Sequence, residues 1–255
     1  MKINRIISKI ALLSAIALSP LTFASNAYVG VFGSSINAKA KNEYNYECIG
    51  TCGFNAYETY SSNFDQYGFG GGVQIGSWIP VGHHHLAYGF EVGIMGNSGK
   101  STNRESNDLV PPSNSDLISR FSINISYELA AQLLAKLSPV FSAYIKGGAA
   151  VSRIDTSIEI VSNFIQGTPL SFPTVETSSD KYRLGWIAGL GLITHINNID
   201  VFFEFDHMSY GSMNLSNIAT PLTPPGATSG LLTRNYQDMS ANILKFGANF
   251  AIGNI

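Results

Sequence analysis

Residues 181–211 read KYRLGWIAGLGLITHINNIDVFFEFDHMSYG, two alternating runs joined by a short Asn-rich turn. In the first run Tyr182, Leu184, Trp186, Ala188, Leu190 and Leu192 share one face, and Arg183, Gly185, Gly189 and Gly191 share the other. In the second, Val201, Phe203 and Phe205 oppose Asp200, Glu204 and Asp206. This is the two-residue period of a strand, and the pair reads as a β-hairpin. A soluble sheet would also alternate. Small and charged residues on one face, opposite a wall of Leu, Trp and Phe, instead suit a narrow polar barrel interior ringed by lipid. The hairpin therefore predicts a transmembrane β-barrel.

The N-terminus fits export. Lys2, Arg5 and Lys9 precede an apolar run over residues 10–18 and then Thr22-Phe23-Ala24, the pattern of a secretory signal peptide cleaved after Ala24 or Ala27. Residues 1–24 are thus a leader and 25–255 one barrel domain. Beyond the leader no apolar run approaches the ~20 residues a membrane helix needs. Charged residues are only 13% of the chain and glycines number 25. A net charge of -2 gives no basic face for a nucleic acid. In an oxidising compartment, Cys48 and Cys52 are expected to form a small loop disulfide, since Cys-x-x-x-Cys alone lacks a second pair of metal ligands.

The same alternation marks further strands near residues 27–35, 64–78, 86–96, 117–129, 140–152 and 239–250. With the hairpin they make eight, an even number, each close to the about 9–11 residues a tilted strand needs to cross hydrocarbon. Connections alternate between short and long, the long ones covering residues 36–63, 97–116, 157–180 and 212–238. The fold class is all-β: an eight-stranded antiparallel barrel with short periplasmic turns, long extracellular loops and both termini in the periplasm. Its polar face collects Glu91, Glu128, Glu204 and Asp206 against Arg120, Lys146, Arg183 and Lys245. Buried charges must be paired, and an eight-stranded interior is just wide enough for side chains to fill, so a luminal salt-bridge network and an occluded lumen are expected.

The opening AYVGVFG, the runs YGFGGGVQIG and YIKGGAAVSR, the pairing GWIAGLGL with IDVFFEFDHMSYG, and the closing LKFGANFAI together resemble the small outer-membrane barrels of the opacity-protein and OmpA-transmembrane-domain type. The resemblance implies a monomeric, non-enzymatic protein without cofactors in a Gram-negative outer membrane. Its partners would be membrane lipid and lipopolysaccharide, the barrel-assembly machinery, and a host surface ligand met by outer loops in adhesion or antigen roles. Phe246, Ala248 and Phe250 resemble the assembly signal of such barrels, although the chain ends Gly-Asn-Ile instead of on an aromatic residue. A small-solute porin is the first alternative.

A second alternative rests on His207-x-Ser209. The pair resembles the outward-facing catalytic residues of lipid A deacylases, but the sequence offers no obvious acid to orient the imidazole. His83, His84 and His85 are read as a polar turn, since consecutive residues do not converge on one ion. Trp78, Tyr127, Phe141, Tyr182 and Tyr210 are assigned to interfacial girdles. Tyr44, Tyr46, Phe54, Tyr57 and Tyr60 crowd the first long loop as a candidate binding surface.

Overall fold

The computed structural model describes residues 26–48, 57–82, 85–110, 113–162, 175–220 and 230–252. The expected leader, Cys52, Phe54, His83 and His84 lie outside them, as does the Cys48 side chain, so the expected disulfide falls outside the described residues too. The described chain is all strand: β1 Asn26–Cys48, β2 Tyr57–Pro80, β3 Leu86–Ser98, β4 Ser101–Val110, β5 Ser113–Lys136, β6 Phe141–Ser162, β7 Val175–Ile196, β8 Ile199–Thr220 and β9 Gly230–Ile252. Every neighbouring pair is antiparallel. The sheet runs β3-β2-β1-β9-β8-β7-β6-β5-β4, and β3 also pairs with β5, which closes it. β3 and β4 occupy one position in the wall, interrupted at Gly99 and Lys100, so the structure is a closed eight-stranded barrel. At one end lie the short turns, including the two-residue Asn197-Asn198 turn, and the Ala27–Ile252 pairing that joins the first and last strands.

Outward residues form an apolar belt around that end, with Phe69, Ile145, Leu184, Leu190, Phe203 and Phe246 all well exposed. A surface of this kind suits hydrocarbon, not water. Above the belt the outward face turns polar, as with Lys39, Lys41, Asp65, Arg153 and Asp155, while the strands continue.

That continuation corrects the expected strand lengths. Seven of the strands run 22 to 24 residues, so most of the presumed long loops are paired strand. Ile36, Ala38 and Ala40 turn inward and are buried while Asn37 and Lys39 turn outward, which keeps the period but inverts the polarity. A search keyed to an outward apolar face ends where the lipid belt ends. The first-loop tyrosines accordingly fall on β1 and β2, where Tyr44 pairs with Tyr60 in the ladder.

The upper half is also not a closed wall. β7 and β8 are bonded only up to Trp186 and Ser209, and β2 and β3 only up to Phe69 and Ser98. Above these points two four-stranded sheets, β8-β9-β1-β2 and β4-β5-β6-β7, face each other across two seams. Phe64 and Tyr236 from one sheet meet Phe121 from the other, ring centroids 6.0 to 6.1 Å apart, with Ile36, Ile123 and Ile154 packed nearby in the same buried core. Fully burying such side chains contributes about 1.5–3 kcal/mol each. Gln66 crosses one seam, donating through Nε2 to Gly99 O and accepting at Oε1 from Ile123 N.

Candidate functional site

In the lower half the inward positions hold charge. Lys146 on β6 lies 2.7 Å from Glu204, 3.0 Å from Asp206, 3.3 Å from Glu128 and 3.4 Å from Glu91. Lys245 on β9 lies 2.7 Å from Glu128, 2.7 Å from Asp206 and 3.1 Å from Glu204. All six side chains are buried to within 2% of completely. The strands make this convergence simple: Glu204 faces Lys245 across the β8–β9 ladder, and Lys146 and Asp206 flank Gly189 of β7. A Cβ on Gly189 would sit 2.0 Å from Asp206 Oδ1, so the absent side chain makes room for the carboxylate.

Neutral donors complete the cluster. Tyr28 Oη and Gln132 Nε2 donate to Glu91 Oε2 at 2.8 and 3.0 Å, and Tyr144 Oη donates to Glu204 Oε2 at 2.5 Å. Tyr28 stacks on Trp78, and Trp78 also meets Tyr144 edge-on. Each carboxylate that leaves water here recovers charged or hydrogen-bonded partners, the condition on which buried ions are tolerated.

Six of the eight expected network residues are thus together: Glu91, Glu128, Lys146, Glu204, Asp206 and Lys245. Arg120 and Arg183 are not. Arg120 points outward and pairs with Glu159 at 2.7 Å. The cause is a β-bulge: Ile123 opposes Ile154 but Ile125 opposes Arg153, so Asn124 is an extra residue and the in/out parity switches there. Phe121 and Ile123, which unbroken alternation with Arg120 inside would turn to the lipid, are consequently fully buried inside. Arg183 sits opposite Ser152 in the ladder, one level above the cluster, and makes no ion pair among the described residues. Two girdle assignments also change. Trp78 and Tyr210 are buried because they share parity with Gln74 and Asp206, and only Tyr127, Phe141 and Tyr182 face out.

His207 and Ser209 do face outward, near the foot of the β7–β8 seam. His207 Nδ1 bonds Asn242 Oδ1 at 2.8 Å and its ring lies 5.3 Å from that of Trp186. Among the described residues no hydrogen bond joins it to Ser209 and no carboxylate orients it. Sequence reading missed a different chain at the short-turn end. There Ser142 Oγ lies 2.8 Å from His195 Nε2, and His195 Nδ1 lies 2.7 Å from Asp200 Oδ1. The order resembles a hydrolytic triad. Ser142, however, is fully buried, so its hydroxyl is closed off from solvent. The His195–Asp200 half was legible, since those residues pair one step beyond the tight turn. Phe246, Ala248 and Phe250 lie on the outward face of β9.

No family model matches the chain. Among curated proteins, one of Coxiella burnetii described as uncharacterized is 30% identical over 198 residues, covering 75% of this chain and 72% of its own. The chain belongs to the family of that Coxiella protein. Solved structures similar to this family member include OprG of Pseudomonas aeruginosa, at 12% identity and a TM-score of 0.48, over 90% of this chain and 98% of that one. The attachment invasion locus protein Ail of Yersinia pestis follows at 11% and 0.33, over 87% and 99%. Neither overlap is close enough to carry a functional inference.

Proposed function

We propose that the protein is an outer-membrane surface barrel with a sealed lumen, acting through the part that stands above the membrane in adhesion or as a surface antigen. The observation that carries this reading is the filling of the interior at two successive levels. The charge cluster and its tyrosines occupy the membrane level, and the Phe64, Phe121 and Tyr236 core occupies the level above, all essentially unexposed. A pore would need a continuous water path past both. The apolar belt supports a membrane location, and the polar outward faces of the extended sheets supply the surface a host ligand would meet. The protein is read as non-enzymatic, since His207 lacks an acid among the described residues and Ser142 is inaccessible.

One preparation tests both halves of the reading. The purified barrel in proteoliposomes is expected to release no entrapped small solute, while the same vesicles bind immobilised host-cell matrix. Solute leakage through the wild type would favour a porin, and vesicles that neither leak nor bind would remove the adhesion role.

A further inference from the structure

Arg183 and Lys181 stand apart from the buried cluster. On β7 they alternate with the exposed Tyr182 and Leu184, so both face inward, about 7 Å apart along the strand. Neither makes an ion pair or a hydrogen bond among the described residues, and Arg183 Nε is buried without a partner. The acids below are held by other cations: Lys146 reaches Glu91, Glu128, Glu204 and Asp206, and Lys245 reaches the last three. Counted with Arg183 and Lys181 the inward charges balance, 4 − 4 = 0, yet only two of the four cations touch an acid. Two neighbouring cations that are half-buried and unpaired repel each other, and a bound anion relieves both costs.

The pair sits where the wall opens. β7 stays bonded to β6 up to Val175 but leaves β8 at Trp186, so above that point alternate main-chain N–H groups of β7 face the seam without a ladder partner. Across the gap β8 bends away at Gly211, which has a φ of 65°, irregular pairing with β9 on both sides, and open space where a Cβ would stand. Outside the seam, Trp186, Leu184 and Tyr182 are exposed and apolar, and the next outward positions are the charged Arg153, Asp155 and Asp180. Tyr182 therefore marks the upper border of the hydrocarbon, the level of lipid headgroups.

We infer that Arg183 and Lys181 bind the phosphate group of a lipid headgroup that enters the β7–β8 seam from the outer leaflet. The guanidinium takes two phosphate oxygens through its fork of N–H groups, the ammonium adds a second charge, and the acyl chains lie below on Leu184 and Trp186. Charge, level and the adjoining apolar wall together select a lipid. The site rests on the membrane location and not on the adhesion role.

The test is native mass spectrometry of the full chain released from phosphatidylcholine nanodiscs that carry a minor fraction of phosphatidic acid, whose phosphate monoester is the probe. Wild type is expected to retain phosphatidic acid in preference to phosphatidylcholine. Arg183→Gln and Lys181→Gln should each weaken that retention about tenfold, the worth of one charge-assisted hydrogen bond. Lys39→Gln, the same loss of charge at an exposed site on β1, should leave it unchanged. Lys181 has no partner to lose, so its variant reads the site even if Arg183→Gln does not fold. Equal losses in all three variants would show general attraction to the barrel surface and overturn the site. Unchanged retention in Arg183→Gln and Lys181→Gln also overturns it, and a lower urea midpoint would then make these cations remote counter-charges of the cluster. Displacement of phosphatidic acid from wild type by millimolar inorganic phosphate overturns the lipid as the source and assigns the site to a free anion. Binding to host-cell matrix is read separately and bears only on adhesion.

Discussion

Replacing Arg120 and Phe121 separately by alanine tests the bulge at Asn124, because the two possible parities assign these neighbours opposite fates. In the structure Phe121 is fully buried between Phe64 and Tyr236, with ring centroids 6.1 and 6.0 Å away. Truncating a phenylalanine in such a site costs about 3–5 kcal/mol, the lost transfer energy plus the cavity left behind. Arg120 faces outward, and the side chains of its ion pair with Glu159 are about a quarter exposed, at 25% and 26%. Pairs near water contribute at most about 1 kcal/mol. Unbroken alternation from the membrane segment would instead put Arg120 inside as a buried ion and Phe121 outside, and the costs would be exchanged, since breaking a buried pair costs about 3–5 kcal/mol. Equilibrium unfolding in urea, followed by the gel-mobility shift between folded and unfolded barrel, measures both. A loss above about 3 kcal/mol for Arg120→Ala, with about 1 or less for Phe121→Ala, refutes the bulge and the inter-sheet core together.

Gly191→Ala should cost about 1–3 kcal/mol by overpacking, because its Cβ would lie 2.3 Å from the Tyr144 ring, whereas Gly33→Ala, with open space around it, should change stability by less than about 0.5 kcal/mol in the same assay. His195→Ala should destabilise by about 1–3 kcal/mol, since it strips the buried Ser142 hydroxyl and Asp200 of their partner, and unfolding midpoints compared with Ser142→Ala will show the coupling. Asn197 holds the tight turn at a φ of 53°, so Asn197→Val should cost about 1–2 kcal/mol while Asn197→Gly is near neutral, both read from unfolding curves.

Much of the wall was legible because lipid and lumen impose opposite chemistries on alternate residues. The β7–β8 hairpin, the inward glycines and six of the eight network charges follow from that rule alone. It failed where its premise changed. At Asn124 one extra residue reversed the parity, and nothing in SINISYELA marks the insertion, since Ser, Ile and Asn suit either face. Above the belt the polarity inverted, so residues such as Ile36 and Ala38 in β1 looked like loop. The Ser142–His195 contact joins residues 53 apart in the chain, and no local pattern encodes it. Trp78 and Tyr210 were misassigned by residue type, although their parity was readable.

The two seams change what holds the outer half together. Around the membrane level the wall is closed by main-chain hydrogen bonds, which any side chain leaves intact. Above Trp186 and Phe69 it is closed by Phe64, Phe121, Tyr236 and the Gln66 bridge. Closure there is written in replaceable letters. A lineage can therefore part, tilt or re-aim the two exposed sheets through a few substitutions, with no cost to the ladder that anchors the barrel. Diversity at the surface and permanence in the membrane then draw on separate parts of one continuous set of strands.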